Sequence, residues 1–117
     1  MIRARFKFDD EQRVYSFHLT GHADYSEAGK DIYCSAVSAI AQTVIGTLTE
    51  FFKPGQDFIY TLNSGDIECQ ILDYATLSKE NRIRAESLMF SAYIGIKQID
   101  MIAGQKYLSV LKEEEHS

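Results

Sequence analysis

The chain has few of the residues that would place it in several common classes. There are two cysteines in 117 residues, too few for the disulfide framework of a small secreted domain. They lie at positions 34 and 69 with no C-x-x-C spacing, so neither a zinc ribbon nor dithiol redox chemistry is indicated. Lysine and arginine number 12 against 17 acidic residues, a net charge of −5. That balance argues against nucleic acid as the main partner, because phosphate binding relies on dense basic residues, while leaving basic peptides and proteins as attractive partners. The N-terminus "MIRARFKFDDEQ" has no apolar core of signal-peptide length. No apolar run approaches the roughly 20 residues of a membrane span. A soluble cytoplasmic protein with free thiols is expected, needing neither cofactor nor metal.

What is present fits one α+β domain over residues 1–117. Ile2, Ala4, Phe6 and Phe8 alternate with Arg3, Arg5 and Lys7, the period of a half-buried strand. "DDEQ" is a turn, and Tyr15, Phe17 and Leu19 alternate in a second strand. From Asp31 to about Lys53, Val37, Ile40, Ala41, Val44, Ile45, Leu48, Phe51 and Phe52 recur at helical spacing, and "KPG" ends the run. Phe58–Leu62 and Ile67–Leu72 read as a hairpin around "NSGD". A second helix is expected from about Lys79 to Ala103 with Gly104 as its stop, and "KYLSVLK" offers a last strand. The order is ββαββαβ, a mostly antiparallel sheet packed with two helices. The acidic tail "KEEEHS", 112–117, is expected to fray.

One stretch carries chemistry: "GHADYSEAGKDIYCSAVSAI", Gly21 to Ile40. With Asp31 as N-cap, Cys34 falls in the first helical turn, where unpaired N–H groups and the helix dipole favour a thiolate. His22 lies on the loop that folds back to that helix. A thiol and an imidazole are the pair needed for acyl transfer from a peptide bond, with the N–H groups near Ser35 and Ala36 as oxyanion candidates. Asp31 either caps the helix or orients His22. Ser38, one turn beyond Cys34, either touches the site or is a small residue against the sheet. By spacing alone, a cysteine near a helix start is more often a small buried residue. Cys69, on the apolar face of a strand, reads as core. His18 reads as a polar-face residue, His116 as tail, and "KENRIR" at 79–84 as a solvated helix face.

At these residues the chain resembles the ribosomal-processing cysteine protease family, Prp. "GHA" at 21–23, a short loop, "GKDIYC" at 29–34 and Ser38 match its pattern; Tyr33, Ser35 and Ala36 depart from the valine, alanine and glycine common there. The resemblance implies a bacterial cytoplasmic endopeptidase that removes a short N-terminal extension from large-subunit ribosomal protein L twenty-seven. It implies His22 and Cys34 as the catalytic dyad, a mobile 21–30 loop with Gly21 and Gly29 as hinges, a homodimer, and aromatic residues just before the cut. The rival class is a non-catalytic ribosome-assembly module binding the same or another ribosomal protein.

Overall fold

The computed structural model describes residues 1–21 and 30–115, with the side chains of Lys30 and Asp31 left aside. Its elements are β1 (Ile2–Phe8), β2 (Val14–Thr20), α1 (Lys30–Phe51), β3 (Phe58–Asn63), β4 (Asp66–Ile71), α2 (Lys79–Ile102) and β5 (Leu108–Glu114). The order ββαββαβ is the one the periodicities predict.

The strands form a single sheet in the order β3-β4-β2-β1-β5. Every neighbouring pair is antiparallel except β1–β5. The first hairpin is set by Asp9, whose carboxylate accepts from the N–H groups of Glu11 and Arg13 and from Arg13 Nε. One face of the sheet carries the core: Ile2, Ala4, Phe6 and Phe8 of β1 meet Phe17 and Leu19 of β2 and Ile67, Cys69 and Ile71 of β4, all buried. Both helices lie on that face. α1 contributes Val37, Ala41, Ile45, Leu48 and, just past its end, Phe52; α2 contributes Ala85, Met89, Ala92 and Ile96. The helices are antiparallel: Gly95 faces the Ile40 side chain, and Arg84 lies 5.0 Å over the Phe51 ring. A β-carbon at position 95 would sit 3.1 Å from Ile40 Cδ1, so glycine permits this close approach.

Local signals set the helix ends. Ser78 Oγ accepts from the Asn81 N–H and caps α2. Gly104, at φ +64°, follows the C-cap Ala103, a left-handed conformation that glycine adopts without strain. A 3-10 turn at Tyr74–Thr76 was not foreseen; its Tyr74 hydroxyl donates to the Val14 carbonyl at 2.6 Å and ties the β4–α2 connection to β2.

Two expectations are corrected. The tail does not fray at Lys112: Lys112, Glu113 and Glu114 pair in parallel with Phe6, Lys7 and Phe8. Backbone pairing outweighs the charge there, helped by Arg5–Glu113 at 2.8 Å and Lys112 over the Phe8 ring. And α1, from Ile32 to Phe51, is long and apolar enough by length and composition to cross a membrane. Its apolar residues are interspersed with Ser, Thr, Gln and Glu, so no continuous run betrays them; here the stripe serves the core.

Candidate active site

Cys34 lies one turn before Val37 on the buried stripe of α1, beside the strand ends at Ile2, Leu19 and Ile67. It is half-buried, packed against the core on one side and open on the other. α1 begins at Lys30, one residue earlier than predicted. Asp31 is thus the second helical residue, and its side chain, like Gly29, lies outside what the structure describes. A carboxylate still suits this first turn, beside the positive end of the dipole. Ser35 and Ala36 move into the second turn, where helical N–H groups donate to carbonyls four residues back. The unpaired N–H groups are those of the first turn, Lys30 to Ile32. Because Cα–Cβ bonds tilt toward the helix N-terminus, the Cys34 sulfur leans back over that turn.

The thiol separates two depressions. On the inner side is a narrow crevice of about 30 Å³ walled by Ile2, Leu19, Val37 and Ile67. On the outer side is a more open trough of about 340 Å³, lined by Cys34, Ser35, Ser38, Ala39 and Gln42. Among the described residues only Cys34 and Ser38 border both. An extended chain crossing the sulfur could place groups on either side of it.

Gly21, which also lines the crevice, is the last described residue before the 22–29 segment. Its φ is +104°, and a β-carbon there would stand 2.4 Å from the Met1 carbonyl oxygen; no other residue fits without movement. Its N–H donates to the Gly65 carbonyl at 3.1 Å. The expected hinge is therefore clamped on its β2 side. His22 and Gly29 lie outside the described residues. The other end of the segment joins α1 one turn from Cys34.

An aromatic pair was missed in the sequence. Tyr33 stacks on Tyr107, centroids 5.4 Å apart and planes at 26°, and the Tyr107 carbonyl accepts from the Ile2 N–H. The pair ties the start of α1 to the entrance of β5. The only sequence signal was Tyr33 as a departure from the family pattern.

The remaining titratable candidates lie elsewhere. Cys69 is fully buried, its Sγ 4.0 Å from Met89 Sδ, and burial pushes its pKa up to about 12. It is core, as predicted. His18 sits on the open face of the sheet, with Nε2 2.6 Å from Asp66 Oδ1 and Nδ1 3.3 Å from Glu68 Oε2. Among the described residues no group of three or more His, Cys, Asp or Glu could hold a metal ion. Arg84 bonds Glu80 and Asn81 on the surface, consistent with a solvated start to α2.

Comparison with known proteins follows the same lines. Residues 1–108 match the sequence model of the family described as cysteine protease Prp, and the chain belongs to that family of cysteine proteases. The ribosomal processing cysteine protease Prp of Bacillus subtilis (strain 168) is 38% identical over 40 residues, 34% of this chain and 36% of that one. Its counterpart from Staphylococcus aureus (strain Mu50) is 26% identical over 91 residues, 78% of this chain and 84% of that one. The crystal structure of an essential ribosomal processing protease Prp from S. aureus, in complex with a covalently linked product peptide, shares the fold with a TM-score of 0.73 at 22% identity, covering 97% of this chain and 100% of that one.

Proposed function

We propose that this chain is a cytoplasmic bacterial endopeptidase, acting as a homodimer, that removes the short N-terminal extension of large-subunit ribosomal protein L twenty-seven. The observation that carries the reading is the half-buried Cys34, between two depressions at the start of α1, within the stretch that carries the family pattern. The relatives' designation as ribosomal processing proteases and the S. aureus complex with a covalently linked product peptide support a peptide substrate.

In this mechanism Cys34, as thiolate, attacks the scissile carbonyl carbon and forms a C–S bond. The first-turn N–H groups and the α1 dipole offset the charge on the carbonyl oxygen. His22, as imidazolium, protonates the leaving nitrogen as the C–N bond breaks, leaving a thioester. The neutral imidazole then takes a proton from water as the water attacks the thioester, and the thiolate leaves. Asp31 orients the imidazole, and Ser38 contacts the reacting group beside the sulfur.

The test is to mix the chain with its own organism's full-length ribosomal protein and follow both by intact-mass spectrometry. A single cut shortening the ribosomal protein at its N-terminus is expected. A stoichiometric complex with both chains intact would instead establish the assembly-module reading.

A further inference from the structure

The chemistry proposed for Cys34 needs the first turn of α1 to stay wound. Its free N–H groups are the ones that would face charge on the carbonyl oxygen, and they serve only while the turn keeps its place relative to the sulfur. Helix ends fray unless something outside the helix holds them. Of the first-turn side chains that are described, Ile32 gives no hold, being 70% exposed, and Tyr33 is half-buried. The first fully covered residue of α1 is Val37, a turn further on.

Tyr33 is fastened across the fold. Its ring stacks on Tyr107 with centroids 5.4 Å apart, in the near-parallel arrangement that aromatic pairs favour when offset. Tyr107 has a firm mount. Its carbonyl accepts from the Ile2 N–H at 3.1 Å, and the next residue, Leu108, is buried and paired with Ile2. The Lys106 ammonium lies 5.4 Å from the Tyr107 ring centroid, a further hold on that ring. Ile2 in turn walls the crevice beside Cys34. Its neighbour Met1 presses its carbonyl against Gly21, the last described residue before the 22–29 segment. Both attachment points of that segment therefore rest on the first two residues of the chain. Neither ring lines the crevice or the trough, so the stack is not placed to touch a peptide lying in them.

We propose that Tyr33 and Tyr107 are positioning residues for the Cys34 chemistry: their stack braces the first turn of α1 on the β1–β5 frame and keeps its N–H groups aligned with the sulfur. The inference rests on the endopeptidase reading of Cys34 and adds two residues to that site without placing either against the substrate.

The first test needs no substrate. Amide hydrogen exchange is followed by NMR in the parent and in Tyr33→Ala, a change that removes the ring but keeps a strong helix former. The amides of Cys34 and Ser35, which close the first bonds of α1, should exchange about tenfold faster or more, while those of β2 and β4 keep parent rates. In turnover, kcat should fall about tenfold with KM within about twofold. Tyr33→Phe should restore exchange and kcat together, because stacking needs the ring and not the hydroxyl. Tyr107→Ala should reproduce Tyr33→Ala, and the double variant should be no worse than either, since each removes the same contact.

Parent exchange rates at Cys34 and Ser35 in folded Tyr33→Ala would overturn the proposal. So would a raised KM at unchanged kcat, which would make the ring a substrate contact, or a lowered kcat that Tyr33→Phe fails to restore. Should Tyr107→Ala not fold, the contrast between Tyr33→Ala and Tyr33→Phe gives the same answers. A parent chain that cuts nothing would refute the endopeptidase reading, and exchange at Cys34 would still decide whether the stack braces the helix.

Discussion

The two cysteines show how the fold assigns opposite fates to one side chain. Cys69 is midway along β4 under α2, fully buried beside Met89. Desolvation pushes its pKa up to about 12, which keeps it a neutral thiol, a small apolar filler. Cys34 continues the apolar stripe of α1 beside the strand ends at Ile2, Leu19 and Ile67. It keeps core contacts on one side and gains access on the other. What separates a structural thiol from a candidate nucleophile here is position: Cys69 lies inside the core, whereas Cys34 borders both a crevice walled by sheet residues and an outer trough.

Several changes would sharpen or break that contrast. The largest effect is expected at the proposed dyad: His22→Ala should lower kcat/KM by about 10²-fold or more, by removing the proposed general acid and base, with the thermal midpoint unchanged. Unchanged turnover would remove the imidazole from the mechanism. Next comes the core that Cys69 belongs to. Phe17→Ala, a fully buried ring against Phe6, should cost about 3–5 kcal/mol in urea unfolding; a loss under about 1 kcal/mol would mean the core repacks freely. Gly21→Ala meets both the positive φ and the Met1 carbonyl, and should cost about 1–3 kcal/mol while lowering turnover through the segment it anchors. If stability and turnover both stay at parent values, the clamp at Gly21 is not what sets the segment's path.

A smaller effect concerns pH. Cys69 in the unfolded chain ionises near its ordinary value of 9.0, but in the fold only near about 12. Between those values the unfolded state holds fewer protons, so stability falls as pH rises; below pH 9.0 this contribution is constant. Tyr74, whose hydroxyl is also raised, chiefly by burial, acts in the same direction. Urea unfolding of Cys69→Ala should show a shallower alkaline decline than the parent. An identical slope would assign the decline to tyrosines alone. Smallest of all, Arg5→Ala should change stability by no more than about 1 kcal/mol, because the Arg5–Glu113 pair is largely exposed.

Much of this was legible in the sequence, and the reason is physical range. Both hairpins, both helices and the Gly104 stop are written in local periodicity and capping chemistry, which a short window contains. The role of Cys69 followed from its place in the Ile67–Ile71 alternation. What was not legible depends on partners far along the chain. The parallel pairing of β5 with β1 kept Lys112–Glu114 in the sheet, although their composition suggested a frayed tail. The stack of Tyr33 on Tyr107 joins residues that no motif connects. The start of α1 at Lys30 puts Ser35 and Ala36 in the paired helix, a one-residue shift that changes which N–H groups are free. The half-exposure of Cys34 was beyond sequence reach for a related reason: the stripe predicts a buried position, and the crevice and trough beside it depend on residues far along the chain.

The most direct test of the account is turnover of the proposed substrate, the ribosomal protein's N-terminal peptide, by two single variants, Cys34→Ala and Cys69→Ala, measured beside the parent. The account predicts that Cys34→Ala falls to background while remaining folded, and that Cys69→Ala cuts at the parent rate despite a lower thermal midpoint. Cleavage by Cys34→Ala at the parent rate would contradict it.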